Sequence, residues 1–266
     1  PGSACTSCGG WLVADWAGIR RDRTLFVDDA ALVLDKPAGL AVTGERHDTD
    51  LVQLAASAGE TLFPAHRIDK VTSGAVLFAR SLGHHGDLTR QFNRRTVGKA
   101  YLAATATTGL PDHGIIDLPL SVGRKSRVRV AAERDRIRGD GGRWWVAPED
   151  VFTQVRTYPS VTAFATVWAD ESHTLLVVRP VTGRRHQIRV HLAWIGHQLM
   201  GDPLFDRSGS GRTLLHSWLL GFDAAWLGGR RVEVEAVPGL DFLGELGLDG
   251  MPDGARERLS ELSRSE

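Results

Sequence analysis

Apolar residues along the chain gather in short runs separated by Gly, Pro and charged turns, a pattern typical of β-strands. Several runs are rich in Val, Thr and aromatic residues, which favour extended structure. The runs that predict strands are ALVLDKPAG (31–39), GAVLFAR (74–80), KAYLAATAT (99–107), VFTQVRTYP (151–159), VTAFATVWAD (161–170), TLLVVRP (174–180), TLLHSWLLGF (213–222) and RRVEVEAV (230–237).

A second spacing, with apolar residues three or four positions apart, predicts short helices. It occurs in DLVQLAAS (50–57), HGDLTRQFNRRTV (85–97) and GRRHQIRVHLAWIG (183–196), and ARERLSELSR (255–264) predicts a further helix. Leu88 and Phe92 show the spacing in the second segment, and Ile188 and Leu192 show it in the third. Strands outnumber helices, so we predict an α+β fold with a mixed, largely antiparallel sheet.

These patterns divide the chain into three predicted parts. Residues 1–24 mix Gly, Ser and charge and predict an irregular N-terminal segment. Residues 25–240 carry the strand and helix patterns and predict one folded domain. Residues 241–266 are polar and predict a C-terminal tail.

Composition narrows the class of protein. The chain has 266 residues, of which 42% are hydrophobic, and its 32 basic side chains balance its 32 acidic ones. No apolar run approaches the roughly 20 residues of a membrane helix, and no secretory signal is recognisable at the start. Cys5 and Cys8 form a CxxC pair without a second pair to complete a zinc site. We therefore expect a cytoplasmic enzyme, without a disulfide framework, a metal or a membrane partner.

Charge is unevenly distributed although the total is neutral. Residues 123–143 hold eight Arg or Lys residues against three acids, and predict an exposed loop or hairpin. Arg90, Arg94, Arg95 and Lys99 form a second basic group, and residues 179–189 hold Arg residues with no acid among them. A positive surface of this kind favours a polyanionic partner.

Four blocks stand in a fixed order: DKPAGLAV, HRIDKVTSGAVLFAR, KAYLA and TGRRHQIRVHLAWIGHQLMGDPLFD. Together they resemble the RluA-type family of pseudouridine synthases over about residues 25–240. The resemblance implies a pseudouridine synthase fold with a central active-site cleft, and a catalytic domain that converts uridine to pseudouridine in RNA without a cofactor. Because about two dozen residues precede the first block, we expect the family's frequent N-terminal RNA-binding domain to be absent.

The resemblance also implies roles for individual residues. Asp69 falls on the catalytic aspartate, Tyr101 on the tyrosine that stacks on the target base, and Arg189 on the basic residue that pairs with the aspartate. Arg67 falls on the arginine that helps to displace the target nucleotide. The further predicted substrate-binding residues are His66, Lys99, Arg184, Arg185 and His186.

The histidines also invite a metal interpretation, which their spacing disfavours. His186 and His191 are five residues apart, unlike the spacings that place two ligands on one helix face. We instead expect His66 and His186 to hydrogen-bond the backbone and brace the loops. Lys36, in the first block, is interpreted as structural.

The chemistry of the reaction fits a lone carboxylate. Breaking the bond between ribose and base leaves electron deficiency at the anomeric carbon, as in glycoside hydrolysis. Asp69 can attack that carbon or stabilise its charge and take a neighbouring ribose proton, and the sequence leaves both routes open. Burial disfavours an ionised carboxylate, and a guanidinium favours it, so Arg189 is the expected partner.

Two other classes of function compete with this one. An RNA-binding or RNA-chaperone protein would keep the surface and lack turnover. A glycosidase acting on free nucleosides would need a second carboxylate opposite the first. The favoured hypothesis is a monomeric enzyme that acts on ribosomal or transfer RNA, with the target nucleotide turned out of its stack.

Overall fold

A computed structural model describes residues 15–44, 49–123, 127–206 and 211–264 of the chain. Cys5 and Cys8 lie outside the described residues, as do residues 124–126 of the basic segment. The predictions made for those positions therefore stay predictions.

The described residues contain strands at nearly every predicted run. Their bounds are β1 (Thr24–Val27), β2 (Ala31–Lys36), β3 (Phe63–Pro64), β4 (Ser73–Ala79), β5 (Gly98–Thr105), β6 (His113–Asp117), β7 (Leu120–Val122), β8 (Val128–Val130), β9 (Ile137–Asp140), β10 (Arg143–Val146), β11 (Thr157–Tyr158), β12 (Val161–Ala169), β13 (Thr174–Pro180), β14 (Leu215–Ala224) and β15 (Arg230–Glu235).

The helices are short. They are α1 (Trp16–Asp22), α2 (Leu51–Ser57), α3 (Leu82–Arg94), α4 (Gln187–Trp194), α5 (Leu240–Leu243) and α6 (Ala255–Arg264). Two of them, α1 and α2, begin at an aspartate whose side chain caps the first turn. The Asp50 carboxylate caps α2 by accepting a 2.9 Å bond from the backbone N–H of Gln53. Among the described residues, no helix has both the length and the apolar character needed to cross a bilayer.

Most strands join one mixed sheet with the order β1-β2-β4-β14-β5-β13-β12-β6-β10-β9. β15 adds to β14 and β3 adds to β4, while β7, β8 and β11 form a separate small sheet. The pairs β4–β14 and β6–β10 are parallel, and the others are antiparallel. The predicted α+β class with a mixed, largely antiparallel sheet is confirmed.

Helices cover both faces of the sheet, as the alternation of side chains requires. On β13, Leu176 and Val178 pack towards Ile188 and Leu192 of α4. Leu175 and Val177, on the opposite face, pack with the C-terminal part of the chain. Farther along the sheet, α3 covers one face and α1 with α2 covers the other.

Three predictions of local structure were wrong. The segment 1–24 is not irregular throughout, because α1 buries Trp16 and Ile19. The predicted strand at 151–159 is extended only at Thr157–Tyr158. The C-terminal tail contains the predicted helix α6, but it also buries apolar side chains in the core, namely Phe242, Leu243, Leu246, Ala255 and Leu262.

Gly74 allows the central parallel pairing of the sheet. Its φ is +103°, and a Cβ atom there would lie 2.3 Å from the backbone oxygen of Ser217 on β14. Any side chain would therefore push β4 and β14 apart, which explains the glycine of the TSG sequence.

We expect Gly74→Ala to lower the free energy of unfolding by roughly 2–5 kcal/mol, because it combines backbone strain with overpacking. Gly86→Ala is the matched control: a Cβ atom there meets nothing within 4 Å. Gly86 lies inside α3, so its replacement should stabilise the protein by about 0.5–1 kcal/mol. Urea unfolding measures both, and equal stabilities for the two variants would contradict the close approach of β4 and β14.

Candidate active site

The loop 65–72 between β3 and β4 presents Asp69 to a cleft beside the sheet. Ile68 is buried among core residues, so Arg67 and Asp69 on either side of it face away from that core and line the cleft. The buried Lys36 side chain joins this loop to the turn at residues 37–40 by donating to the carbonyl oxygens of Pro37, Leu40 and Lys70 at 2.8, 2.6 and 3.2 Å. Burial lowers the pKa of Lys36 to about 7. Its structural role stays a prediction that these bonds support.

Arg189 of α4 binds two carboxylates at once. Its Nη1 donates to Oδ2 of Asp69 at 2.9 Å. Its Nε and Nη2 donate to the two oxygens of Asp202, both at 2.7 Å. The Arg189 side chain is 4% exposed and that of Asp202 is fully buried, whereas Asp69 is 22% exposed and open to the cleft.

Asp202 holds the guanidinium in one orientation, since a two-bond contact fixes its plane. Its own Oδ1 also accepts a 2.9 Å bond from the N–H of Leu204. Burial alone would lower the pKa of Arg189, but the bonds and charges of Asp202 and Asp69 outweigh burial and raise it. Arg189 therefore stays a cation directed at Asp69.

Sequence reasoning named Arg189 as the partner of Asp69 but did not identify Asp202. The signal lay in the GDPLFD stretch, where Gly201 precedes the acid at a φ of +64°. A Cβ atom at Gly201 would lie 2.2 Å from the backbone oxygen of Arg212. The tight turn that results brings Asp202 under α4.

His186 stands beside the carboxylate. Its Nε2 lies 3.6 Å from Oδ1 of Asp69, and it precedes α4 with a φ of +55°. Burial lowers the pKa of His186, although the charge of Asp69 opposes that shift. The predicted backbone bond for this side chain was wrong, because the ring faces Asp69 instead.

Tyr101 of β5 lies between β13 and β14, opposite Val178 and Ser217 in the two registers. Its ring packs against core residues on one side and lines the cleft on the other. Burial raises the pKa of Tyr101 to about 12, and the nearby charge of Asp69 adds to the rise. The Tyr101 side chain is therefore an uncharged phenol at neutral pH.

His66 has the bracing role that the sequence predicts. Its Nε2 accepts a 3.0 Å bond from the backbone N–H of Leu77. Its ring stacks on Phe92 of α3, with centroids 4.3 Å apart. Burial lowers the pKa of His66 to about 3, so the ring is neutral and carries its proton on Nδ1.

The remaining predicted residues surround the mouth of the cleft. Arg67, Arg184 and Arg185 are exposed. Lys99 is half-buried, and burial lowers its pKa, with the charge of Arg95 adding to the effect. The cleft measures about 690 Å³, and all nine predicted site residues line it: His66, Arg67, Asp69, Lys99, Tyr101, Arg184, Arg185, His186 and Arg189.

Two buried side chains of α4, Gln187 and His191, attach the helix to the first two residues of β12. Gln187 accepts bonds from Thr182 and from the N–H of Arg184, and donates to the carbonyl of Val161. His191 contacts the Thr162 hydroxyl through Nδ1 and the Leu118 carbonyl through Nε2, both at 2.9 Å. These bonds fix the helix that carries Arg189. Across the described part of the chain, no three His, Cys, Asp or Glu residues group as metal ligands would.

This chain is similar to known proteins over most of its length. Residues 30–194 match the family described as RNA pseudouridylate synthase. "Ribosomal large subunit pseudouridine synthase D" of Nitrosomonas europaea is 34% identical over 217 residues, which span 74% of this chain and 57% of that protein. "Dual-specificity RNA pseudouridine synthase RluA" of Escherichia coli K12 is 29% identical over 204 residues, spanning 74% of this chain and 84% of that protein.

Two further similarities extend these findings. An RNA pseudouridine synthase of Zymomonas mobilis is 33% identical over 189 residues, which span 69% of this chain and 78% of that protein. The solved structure of "Human RNA Pseudouridylate Synthase Domain Containing 1" superposes with a TM-score of 0.67 at 22% identity, covering 91% of this chain and 94% of that one. That structure shows the shared fold.

The buried ring of His191 makes stability depend on pH. Burial lowers its pKa to about 4, against about 6.5 in an unfolded chain. Between these values the unfolded chain binds a proton that the folded protein does not, so the free energy of unfolding falls as the pH falls below 6.5. We expect this one residue to account for about 1.5 kcal/mol of the loss between pH 6.5 and pH 5.

The measurement is urea unfolding of wild type and His191→Asn at pH 7 and pH 5. His191→Asn should be less stable at pH 7 and should lose less stability on acidification. His113→Asn is the control: the His113 side chain is 41% exposed, and its 2.8 Å contact with Glu261 lies at the surface, where an ion pair contributes little. A loss on acidification as large in His191→Asn as in wild type would contradict the assignment.

Proposed function

This chain belongs to the RNA pseudouridylate synthase family, and we propose that it isomerises a uridine in structured ribosomal or transfer RNA to pseudouridine. The observation that carries the proposal is the contact between Asp69 and a buried guanidinium at 2.9 Å, at the base of a cleft rimmed by arginines. The predicted cytoplasmic location and monomeric state stay predictions.

Asp69 is the proposed catalytic residue. Arg189 engages Oδ2, while Oδ1 faces His186 at a distance too long for a hydrogen bond. One carboxylate oxygen is thus positioned and the other is available to the ribose. Attack on the anomeric carbon and removal of a ribose proton both use that available oxygen, so both routes stay open.

Among the described residues, Arg189 is the cation that hydrogen-bonds this carboxylate. His186 contributes no second positive charge near neutral pH, because burial lowers its pKa. Arg189 in turn is shared with Asp202, which moderates its pull on Asp69. This balance suits a carboxylate that must stay ionised and yet react, because a more strongly paired carboxylate is a weaker nucleophile.

Tyr101 is the proposed platform for the target base. Stacking of a base on an aromatic ring contributes roughly 1–3 kcal/mol. Because its pKa is raised to about 12, its hydroxyl acts as a hydrogen-bond donor or acceptor, and the phenolate is scarce at neutral pH. We assign it to positioning the base rather than to strong base catalysis.

Extrusion of the uridine from an RNA helix costs a few kcal/mol, which contacts to the protein must offset. Arg67 is exposed beside Asp69 and is the proposed residue that takes the nucleotide's place. Arg184 and Arg185 extend the positive rim towards the RNA backbone. RNA loops and bulges are the proposed targets, since their bases are already partly unstacked.

The structure offers an argument against a glycosidase. Such an enzyme needs a second carboxylate facing the substrate, and the acid nearest to the Asp69–Arg189 pair is Asp202. Asp202 is fully buried and both its oxygens bind Arg189. It has no access to a substrate in the cleft.

Asp69→Asn is expected to abolish turnover and leave RNA binding within about twofold, because the substitution keeps the shape of the side chain and removes its charge. Tritium release from carbon-5-labelled uridine in bulk RNA measures turnover, and filter binding measures affinity. Asp87→Asn, in an exposed ion pair with Arg90, is the control and should retain full activity.

Retained tritium release in Asp69→Asn would remove Asp69 from the mechanism. No release from the wild-type protein, with RNA binding intact, would instead favour an RNA-binding or RNA-chaperone protein. Release from free uridine would favour the glycosidase.

Charge reversal at the rim tests RNA binding. Arg184→Glu or Arg185→Glu should weaken binding about tenfold and flatten the dependence of log Kd on log salt by one or two units, because each phosphate contact releases about one counterion. Arg258→Glu, on α6, is the control because α6 packs on the face of the sheet opposite α4. An unchanged salt slope in the Arg184 and Arg185 variants would refute the assignment of this rim.

A further inference from the structure

The basic segment 123–143 divides into two parts with different electrostatic surroundings. From Arg136 onward, through β9 and β10, each arginine lies near an acid. Arg136 and Arg138 lie 3.8 and 3.5 Å from Asp150, and Arg143 lies 3.6 Å from Asp117. These exposed contacts are weak, but they cancel the positive charge of this hairpin locally.

The arginines of the small sheet β7–β8–β11 and of the residues next to it have different neighbours. Within the described residues, Arg129, Arg134 and Arg156 have no carboxylate within ion-pairing distance. Each instead has its guanidinium carbon over an aromatic ring, at 5.4 Å from Phe152, 5.2 Å from Trp194 and 5.1 Å from Tyr158, respectively.

Aromatic support has a definite consequence for binding. A ring holds a guanidinium in place through its face and leaves the N–H donors at the edge of the group free. Less side-chain freedom is then lost when those donors bind an anion. Exposed arginines held in this way are prepared to bind phosphate oxygens, whereas arginines beside carboxylates must first exchange partners.

This surface is continuous with the cleft. Arg184, on the rim, lies over the same Tyr158 ring as Arg156, at 5.3 Å. β11, which contains Tyr158, pairs with β7, and β7 pairs with β8, where Ser121 joins Thr157 on one side to Arg129 on the other. Arg134 lies over Trp194 at the C-terminal end of α4. The supported arginines therefore lie near both ends of that helix.

We infer that Arg129, Arg134 and Arg156 bind the phosphate backbone of the RNA segments that flank the target nucleotide, and that the β9–β10 hairpin does not bind RNA. This inference rests on the proposed function for the identity of the partner. Recognition of the target site is then left to the cleft and to the shape of the RNA, because phosphate contacts position a nucleic acid without reading its bases.

The test compares single Arg→Gln variants of the full chain in binding to a fluorescein-labelled RNA stem–loop with uridines in its loop. Fluorescence anisotropy is measured across a series of KCl concentrations. Arg129→Gln, Arg134→Gln and Arg156→Gln should each raise Kd roughly threefold to tenfold and reduce the slope of log Kd against log salt by about one. Arg138→Gln and Arg143→Gln, the matched controls, should stay within twofold and keep the wild-type slope.

A second comparison tests the aromatic support without changing the charge. Tyr158→Leu should raise Kd, because Arg156 and Arg184 lose the ring that holds them, and Tyr158→Phe should bind as wild type. The salt slope should stay the same in both, since the number of cations is unchanged.

Several outcomes would overturn the inference. Equal effects of the Arg129 and Arg138 variants on Kd would mean that the two parts of the segment do not differ in RNA binding. Wild-type affinity and slope in all three variants at supported arginines would remove this surface from RNA binding. Failure of the proposed function is distinguishable, because it shows as absence of tritium release, which this binding measurement does not use.

Discussion

The contact of Arg189 with two carboxylates is the interaction on which the site depends. A guanidinium that is 4% exposed is costly to bury unless its donors are satisfied. Asp202 satisfies two of the nitrogens and fixes the plane, so the third nitrogen points at Asp69. Removal of Asp202 would leave a buried cation with one partner, a situation that typically costs 3–5 kcal/mol. The Asp69 carboxylate, which lines the cleft, is thus oriented through Arg189 by a buried acid that does not line it.

The scaffold explains how such distant residues meet. α4 is attached to the sheet through Gln187 and His191, which places Arg189 above the loop of Asp69. Lys36 joins that loop to the turn at residues 37–40, because it donates to the carbonyl of Lys70 as well as to those of Pro37 and Leu40. Buried polar groups therefore position both Arg189 and Asp69, and each of these groups is satisfied by its partners.

Much of this was predictable because the pattern of apolar residues is local. The long strands and the helices α2, α3 and α4 follow from that pattern. The pairing of Arg189 with Asp69 was implied by the resemblance to the family, and the catalytic roles of these residues stay predictions. Asp202 was missed because the turn at Gly201 brings it to Arg189, and no spacing in the sequence indicates that contact. The two halves of the segment 123–143 look alike in sequence, since their acids and aromatic rings, such as Asp117 and Trp194, lie far away along the chain. The helix α1 was missed because a short helix gains its stability from packing rather than from its own residues.

The order of strands has a consequence for synthesis of the protein. β14 lies between β4, which follows the loop of Asp69, and β5, which carries Tyr101. A nascent chain that ends before residue 215 holds these two strands without the neighbour that joins them. The cleft can therefore be completed only after β14 has been synthesised, and a chain terminated before residue 215 would lack the strand that holds β4 and β5 side by side.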